Sequence, residues 1–134
     1  GHSAVGVTGA GIYSYGNNTP LGSSPLIYIE SQSFLRNQLV THIPLAGEQD
    51  QTILDNLSRN GCWNCIGVFD NCAVRADSAL RAGGLRTSLS PFPGGVARSA
   101  TQAPGATSYY IPKGGPLPPE LVNKLRAFNP PNVP

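Results

Sequence analysis

The sequence of 134 residues is short of the side chains that most catalytic and charged-ligand sites use. It has no methionine, only two histidines and seven acidic residues, and charged side chains make up 12% of it. The net charge of +2 is small and scattered, which is not typical of a nucleic-acid groove or of a surface that binds anionic membranes. No apolar run approaches the roughly 20 residues of a membrane span. We therefore predict no nucleic-acid partner and no transmembrane segment.

The length is that of one domain, so we predict a single domain over residues 1–134. Because methionine is missing, we expect the chain to be a piece of a longer polypeptide. Residues 83–134 hold 17 of the 29 glycines and prolines, and five of the nine basic residues against one acid. This shift predicts a core motif region over residues 1–85 and an irregular, loop-rich, mildly positive C-terminal part over residues 86–134.

Local patterns predict both strands and helices. "HSAVGV" and "IYSYG", joined by "TGAG", favour a hairpin at the start of the chain, and "LVTHIPL" favours a further strand. "LIYI" and "TSYYIP" are short strand candidates, and "SQSFLRNQ" has room for one or two helical turns.

Two longer helices are also expected. In "AGEQDQTILDNLSRN", Ile53, Leu54 and Leu57 share a helical stripe and acidic residues occupy the first turn, which predicts an amphipathic helix. "PPELVNKLRAF" predicts a last helix with proline in its first turn. We therefore expect an α+β fold in which a small antiparallel sheet packs against the amphipathic helix and against the helix that begins near Cys72.

The stretch "FDNCAVRADSALRAGG" predicts that helix. Asp70 or Asn71 can cap it, because either side chain accepts hydrogen bonds from N–H groups of the first turn. Its predicted buried face consists mostly of small side chains and contains Cys72, Ala76, Ala79, Leu80 and Gly83. Gly83 and Gly84 supply its end.

Cys72 therefore stands where unpaired backbone N–H groups favour an anion, which is the setting of a cysteine nucleophile. The same groups can hold the oxyanion formed when a carbonyl is attacked, with Asn71 and Asp70 in support. A nucleophile of this kind needs a base, and His2 leads into the first strand. Ser14 lies in the facing strand and is the candidate group that orients His2. His42 instead has the setting of a strand-end residue.

Several other interpretations remain open from the residues alone. Cys72 can be an inert core residue, and Gly1 and His2 can be a vector remnant. Cys62 and Cys65 can form a tight disulfide or a redox pair, although the pair lacks the usual strand-to-helix placement. Zinc lacks a fourth ligand near the three cysteines, so we predict no metal and no cofactor. A binding module would instead use three aromatic residues, Trp63, Tyr109 and Tyr110.

"GHSAVGVTGAGIYSYG" followed by "FDNCAVRADSALRAGG" resembles the circularly permuted, NlpC-type branch of the papain-like cysteine hydrolases. That branch includes lecithin:retinol acyltransferase-like proteins and the PPPDE isopeptidases, and its histidine precedes its cysteine. The resemblance implies a permuted papain-like fold, with Cys72 as nucleophile and His2 as base. Ser14 stands about where the acyltransferases have a second polar residue, although theirs is histidine. The inserted "GCWNCIG" also departs from the family.

The methionine-free composition and the ending "FNPPNVP" resemble C-terminal toxin domains of RHS-type and other polymorphic secreted proteins. This resemblance implies a domain that is secreted, or delivered into a competitor or host cell, as part of a larger protein and that has a cognate immunity protein. The expected function is that of a cysteine hydrolase or acyltransferase. Its substrate is a peptide, protein or lipid acyl group, with peptidoglycan and protein amides slightly preferred. The alternative is a non-catalytic interaction module with an inert Cys72.

Overall fold

The computed structural model describes residues 1–15, 19–59 and 71–131. Within these ranges the chain forms five helices and two separate two-stranded antiparallel sheets, so the predicted α+β class is confirmed. None of these helices is long and apolar enough to cross a bilayer. The elements, in chain order, are β1 (Ala4–Val7), β2 (Gly11–Ser14), α1 (Pro25–Ser33), β3 (Gln38–His42), α2 (Gly47–Arg59), α3 (Cys72–Ala82), α4 (Pro93–Thr101), β4 (Thr107–Ile111) and α5 (Pro119–Arg126).

The first sheet is the predicted hairpin. β1 pairs with β2 in a register that sets Ala4 opposite Ser14 and Val7 opposite Gly11. Gly9 and Gly11 have φ angles of 72° and 88°, and a Cβ on Gly11 would overlap the carbonyl oxygen of Gly22. Glycine is therefore required at position 11, because the turn needs both the left-handed backbone and the close approach of another chain segment.

The hairpin packs against α2 and α3. A buried cluster joins Val7, Tyr15, Ile53, Leu57 and Ala79, and the Tyr15 hydroxyl donates a hydrogen bond to the Leu57 carbonyl. Both predicted helices are confirmed, and α2 and α3 supply small or branched apolar side chains to this cluster. Most of their predicted buried faces are buried, but Leu54 and Cys72 are only partly buried.

The second sheet contains a strand from each half of the chain. β3 pairs with β4, with Gln38 opposite Ile111. One side of this sheet packs on α1 and α5 through a cluster of Ile29, Ile111, Leu121 and Leu125. The C-terminal part therefore supplies core residues as well as surface.

The prediction of an irregular C-terminal part is wrong at α4, because residues 93–101 form a helix, whereas the strand over "TSYYIP" and the last helix over "PPELVNKLRAF" are confirmed as β4 and α5. The prolines and glycines that prompted it delimit these elements. Pro93 and Pro119 occupy the first turns of α4 and α5, where a missing N–H has no cost. Gly105 and Gly114 adopt positive φ in turns.

A strand over "LIYI" is also wrong, because these residues lie inside α1. Ser24 caps this helix by accepting a hydrogen bond from the Ile27 N–H at 3.3 Å, and Pro25 follows in the first turn. A serine cap and a proline with its φ already suited to a helix outweigh the β preference of two isoleucines and a tyrosine.

Candidate active site

The hairpin brings together two of the predicted site residues. His2 lies just before β1, and Ser14 is the last residue of β2 and is 3% exposed. The Nε2 atom of His2 is 2.6 Å from the Ser14 Oγ, so the expected contact between them is present. The antiparallel register accounts for it, since Ala4 faces Ser14 and His2 precedes Ala4 on the same side.

A third side chain, Tyr28 from α1, joins this pair. Its hydroxyl oxygen is 3.1 Å from the Ser14 Oγ, which makes a continuous chain from His2 through Ser14 to Tyr28. Tyr28 was not among the residues predicted from the sequence, because "LIYI" read as a strand gives no reason to turn this hydroxyl toward β2. The residues "SSP", directly before "LIYI", are a helix-start signal that the sequence does contain.

The surroundings of His2 favour its neutral form. Burial lowers the pKa of the imidazole from its ordinary value of 6.5, and the charges of Arg36 and of the N-terminal ammonium group lower it further. Each of these effects disfavours an added positive charge on the ring. These effects shift His2 toward the uncharged form, which is the state that a general base requires.

The other half of the site is the start of α3. Cys72 is the first residue of this helix and is a partly exposed free thiol. The Asn71 side-chain oxygen caps the helix by accepting a hydrogen bond from the Val74 N–H at 2.8 Å. The side-chain nitrogen of Asn71 donates to the Pro91 carbonyl at 3.0 Å. The predicted cap is confirmed at Asn71. The alternative cap Asp70 lies outside the described residues, as do Cys62, Trp63 and Cys65.

Two contacts relate the two halves of the site. α3 packs against β1 where Val5 meets a cluster that includes Ala73 and Ala76. The segment 91–93 lies beside both halves, since Pro91 accepts from Asn71 and a Cβ on Gly1 would lie 3.3 Å from Pro93. The residues next to Cys72 and His2 in the chain therefore contact the same short segment.

The described residues include no hydrogen bond between the Cys72 sulfur and the His2 ring, whose bond is made through Nε2 to Ser14. That bond occupies one ring nitrogen, and Nδ1 is the nitrogen left for exchange of a proton with another group.

No family model, no curated protein and no solved structure matches the chain. The chemistry of the site therefore has to be argued from its own geometry. The site offers a half-buried imidazole held by a buried hydroxyl, and a cysteine at a capped helix start, which are the residue types that a nucleophile and base pair uses.

The remaining sequence candidates lie elsewhere. His42 is the last residue of β3, as expected, and its ring packs edge-on against Phe128 with centroids 5.9 Å apart. Tyr109 donates to Glu120 and accepts from Lys124, whereas Tyr110 is 62% exposed. Across residues 1–15, 19–59 and 71–131, no three His, Cys, Asp or Glu side chains are grouped so as to hold a metal ion.

Sequence reasoning also missed a buried carboxylate on α3. Asp77 is 2% exposed and accepts a hydrogen bond from the Arg81 Nε at 2.9 Å. Its Oδ1 atom is buried with no hydrogen-bond partner in the described part of the chain. The i, i+4 spacing of Asp77 and Arg81 signals an ion pair on a helix, but not that one partner is buried.

Proposed function

We propose that this protein is a cysteine-dependent hydrolase or acyltransferase with a permuted papain-like arrangement, in which Cys72 is the nucleophile and His2 the base. The observation that carries the proposal is the 2.6 Å contact that holds the His2 ring against buried Ser14. Cys72 begins α3, and the residues beside Cys72 and His2, Asn71 and Gly1, both lie against the segment 91–93. The lowered pKa of His2 supports the same assignment.

The proposed reaction has two steps. The thiol of Cys72 gives its proton to His2 and the sulfur attacks the carbonyl carbon of an amide, ester or thioester. The carbonyl oxygen takes the electron pair and is stabilised by the backbone N–H of Cys72 at the helix start. As the oxyanion collapses, the bond to the leaving group breaks and the His2 proton passes to that group, which leaves an acyl-thioester on Cys72.

In the second step His2 takes a proton from water or from another acceptor, whose oxygen or nitrogen attacks the thioester carbonyl. The carbon–sulfur bond breaks, the acylated product leaves and the proton returns to the Cys72 sulfur. Ser14 keeps the imidazole in one orientation throughout, and Asn71 fixes the start of α3, so that neither group has to be reorganised during the reaction.

Peptidoglycan amides and protein amides, including glutamine side chains, are the preferred substrates of this proposal, and lipid esters are the alternative. The resemblance to polymorphic toxin domains supports a role as a secreted or delivered effector with a cognate immunity protein. Both statements rest on the quoted motifs and on composition.

A direct test is to trap the acyl-enzyme. The protein is mixed with activated acyl esters and with acyl-amide substrates, quenched in acid and digested, and the peptides that contain each cysteine are weighed by mass spectrometry. We expect the acyl group on Cys72 and not on Cys62 or Cys65, and none on the Cys72→Ala protein. Acylation spread equally over the three cysteines, and unchanged in His2→Ala, would show that Cys72 is an ordinary thiol.

An interaction module is the second candidate, and one specific observation favours it. Leu39 and Tyr110 lie directly opposite each other on β3 and β4, and both side chains are exposed. This pair gives the outer face of the second sheet an exposed apolar surface. Tyr110 is one of the three aromatic residues that the sequence offers for a binding module. This candidate predicts that Tyr110→Ser abolishes binding to a partner while Cys72→Ala has no effect on it.

A further inference from the structure

We propose that the cleft between the segment 88–91 and helix α4 is a substrate subsite in which Arg98 binds a carboxylate. The part that concerns the reacting substrate rests on the proposed function, and it narrows that substrate to acyl compounds that carry a carboxylate near the bond that is broken. The part that concerns carboxylate binding does not depend on catalysis.

The cleft has the size of a site for a small molecule or a short piece of peptide. Its volume is about 550 Å³, which lies within the range of cavities that bind small ligands. The segment 88–91 forms one wall, and Gly94, Gly95 and Arg98 of α4 form the other.

The two walls are held together by contacts within the fold. The Oγ of buried Ser99 accepts a hydrogen bond from the Ser88 N–H at 3.0 Å and donates one to the Gly95 carbonyl at 3.1 Å. A Cβ on Gly95 would lie 2.2 Å from the Ser90 side chain, so glycine is required where the walls meet. The cleft therefore exists before a ligand binds, and binding does not have to order it.

Arg98 is the charged residue of the described lining. It is exposed, and its guanidinium has no ion-pair or hydrogen-bond partner within residues 1–15, 19–59 and 71–131. The sequence has no Asp or Glu between Asp77 and Glu120, so the segments that form the cleft supply no carboxylate of their own. A guanidinium in this setting favours an anionic ligand.

A carboxylate fits this lining better than a phosphate group does. The planar guanidinium can donate two parallel hydrogen bonds to the two oxygens of a carboxylate, and the two single charges balance. A phosphate monoester carries up to two charges, whereas Arg98 is the one cation that the described lining offers. Leu89 also lines the cleft and is 65% exposed, so it provides an apolar surface for methylene groups beside the carboxylate.

The cleft adjoins the start of α3. Pro91 belongs to its lining, and the Pro91 carbonyl accepts the hydrogen bond from the side chain of Asn71, the residue before Cys72. A ligand in the cleft therefore contacts the same segment that supports the start of α3. A substrate held there by its carboxylate has the rest of its chain available to extend toward Cys72.

Carboxylate binding is tested by NMR of the backbone amides during titration with adipate, with its uncharged diamide as the matched ligand. Arg98→Gln removes the charge, and Arg86→Gln is the control, because Arg86 is also exposed and is not part of the cleft lining. Gly94→Leu is designed to fill the cleft, since a Cβ on Gly94 would meet nothing within 4 Å. Gly47→Leu is its control, because Gly47 has the same free space at the start of α2.

We expect saturable shifts of the Gly94, Gly95 and Arg98 amide signals with adipate and none with the diamide. The dissociation constant should rise about tenfold in Arg98→Gln, which is the size expected for loss of a charge-assisted hydrogen bond. Gly94→Leu should lose binding, whereas the two control variants should bind as the wild-type protein does.

Equal shifts with adipate and with the diamide would overturn the inference, as would an unchanged dissociation constant in Arg98→Gln. Inorganic phosphate is titrated in parallel. If phosphate binds the cleft more tightly than adipate, the assignment to a carboxylate is wrong.

The rate of Cys72 acylation separates this inference from the proposed function. Mono-4-nitrophenyl adipate and its uncharged methyl ester are compared as acyl donors, with mass spectrometry to locate the acyl group. We expect the wild-type protein to prefer the carboxylated donor about tenfold and Arg98→Gln to lose this preference.

The two failures give different results. If neither donor acylates Cys72 while adipate still binds, the proposed function is contradicted and the carboxylate site stands. If both donors acylate Cys72 at the same rate and adipate does not bind, the inference is overturned and the proposed function stands.

Discussion

The imidazole of His2 and the hydroxyl of Ser14 meet at 2.6 Å across the two strands of the first hairpin, with Ser14 almost fully buried. The contact joins a residue two positions before β1 to the last residue of β2, and the antiparallel register holds it in place. A buried polar group is costly unless it is hydrogen-bonded, so this contact stabilises the fold as well as orienting the ring.

Replacing Ser14 with alanine should therefore affect both stability and reactivity. Loss of the buried hydrogen bonds should lower the free energy of unfolding by about 1–2 kcal/mol. Cys72 alkylation should slow about tenfold, since a loss of about 1.4 kcal/mol in transition-state stabilisation is a factor of ten. Ser33→Ala is the control, because Ser33 is also buried and donates to the Glu30 carbonyl at 2.6 Å. Equal alkylation rates in the two variants would contradict an orienting role for Ser14.

The stability of the protein should depend on pH through His2. The pKa of His2 is lowered by burial and by nearby positive charges, so the folded protein takes up this proton at a lower pH than the unfolded chain. Between the ordinary value of 6.5 and the lower folded value, the unfolded state binds more protons. The free energy of unfolding should thus fall as the pH drops through this window, and the contribution of His2 should be constant below it.

Denaturant unfolding at a series of pH values checks this dependence. His2→Gln should remove the His2 contribution to the slope, while His42→Gln should retain it. If the free energy of unfolding depends on pH equally in the wild-type protein and in His2→Gln, the surroundings of His2 do not lower its pKa.

Asn71 makes two contacts that different substitutions separate. Asn71→Ser keeps a cap for α3 but loses the bond to the Pro91 carbonyl, and Asn71→Ala loses both. Removal of the cap should cost about 1 kcal/mol, so the melting temperature should decrease in the order wild type, Asn71→Ser, Asn71→Ala. If Asn71→Ala has the same melting temperature as the wild-type protein, Asn71 does not stabilise the start of α3.

Gly9, in the turn that joins β1 to β2, and Gly11, the first residue of β2, offer a matched pair. Both have positive φ, but a Cβ on Gly9 would meet nothing within 4 Å, whereas one on Gly11 would overlap the backbone of Gly22. Gly9→Ala should cost about 1–2 kcal/mol from backbone strain alone. Gly11→Ala should cost clearly more and should also slow Cys72 alkylation, because this hairpin positions His2 and Ser14. Thermal unfolding of the two variants measures the difference, and equal losses would contradict it.

Much of the fold could be predicted because its signals are local. The glycine turn between β1 and β2, the stripe of Ile53 and Leu57 in α2 and the Asn71 cap of α3 each depend on residues a few positions apart. The contact of His2 with Ser14 follows from the hairpin, since the turn fixes the register.

The remaining features depend on contacts between distant segments. Tyr28 reaches Ser14 only because α1 packs beside β2, and its own local sequence favours a strand as much as a helix. The sequence around Asp77 is that of an exposed helix residue. In the fold Asp77 is buried and forms an ion pair with Arg81. Helix α4 was missed because its sequence contains a proline and two glycines, which are typical of a loop, and its packing on α3 through Val96 is a contact between distant segments.

The central claim is that His2 activates Cys72, and the most direct measurement is the rate of Cys72 alkylation by iodoacetamide in the native protein as a function of pH. Mass spectrometry of the digested protein follows each cysteine separately, and the unfolded protein gives the reference rate. We predict fast, pH-dependent labelling of Cys72 that falls by at least about 100-fold in His2→Ala, the range expected for loss of a general base. Slow labelling equal to that of the unfolded protein, or a rate unchanged in His2→Ala, would contradict the account and return Cys72 to a packing role.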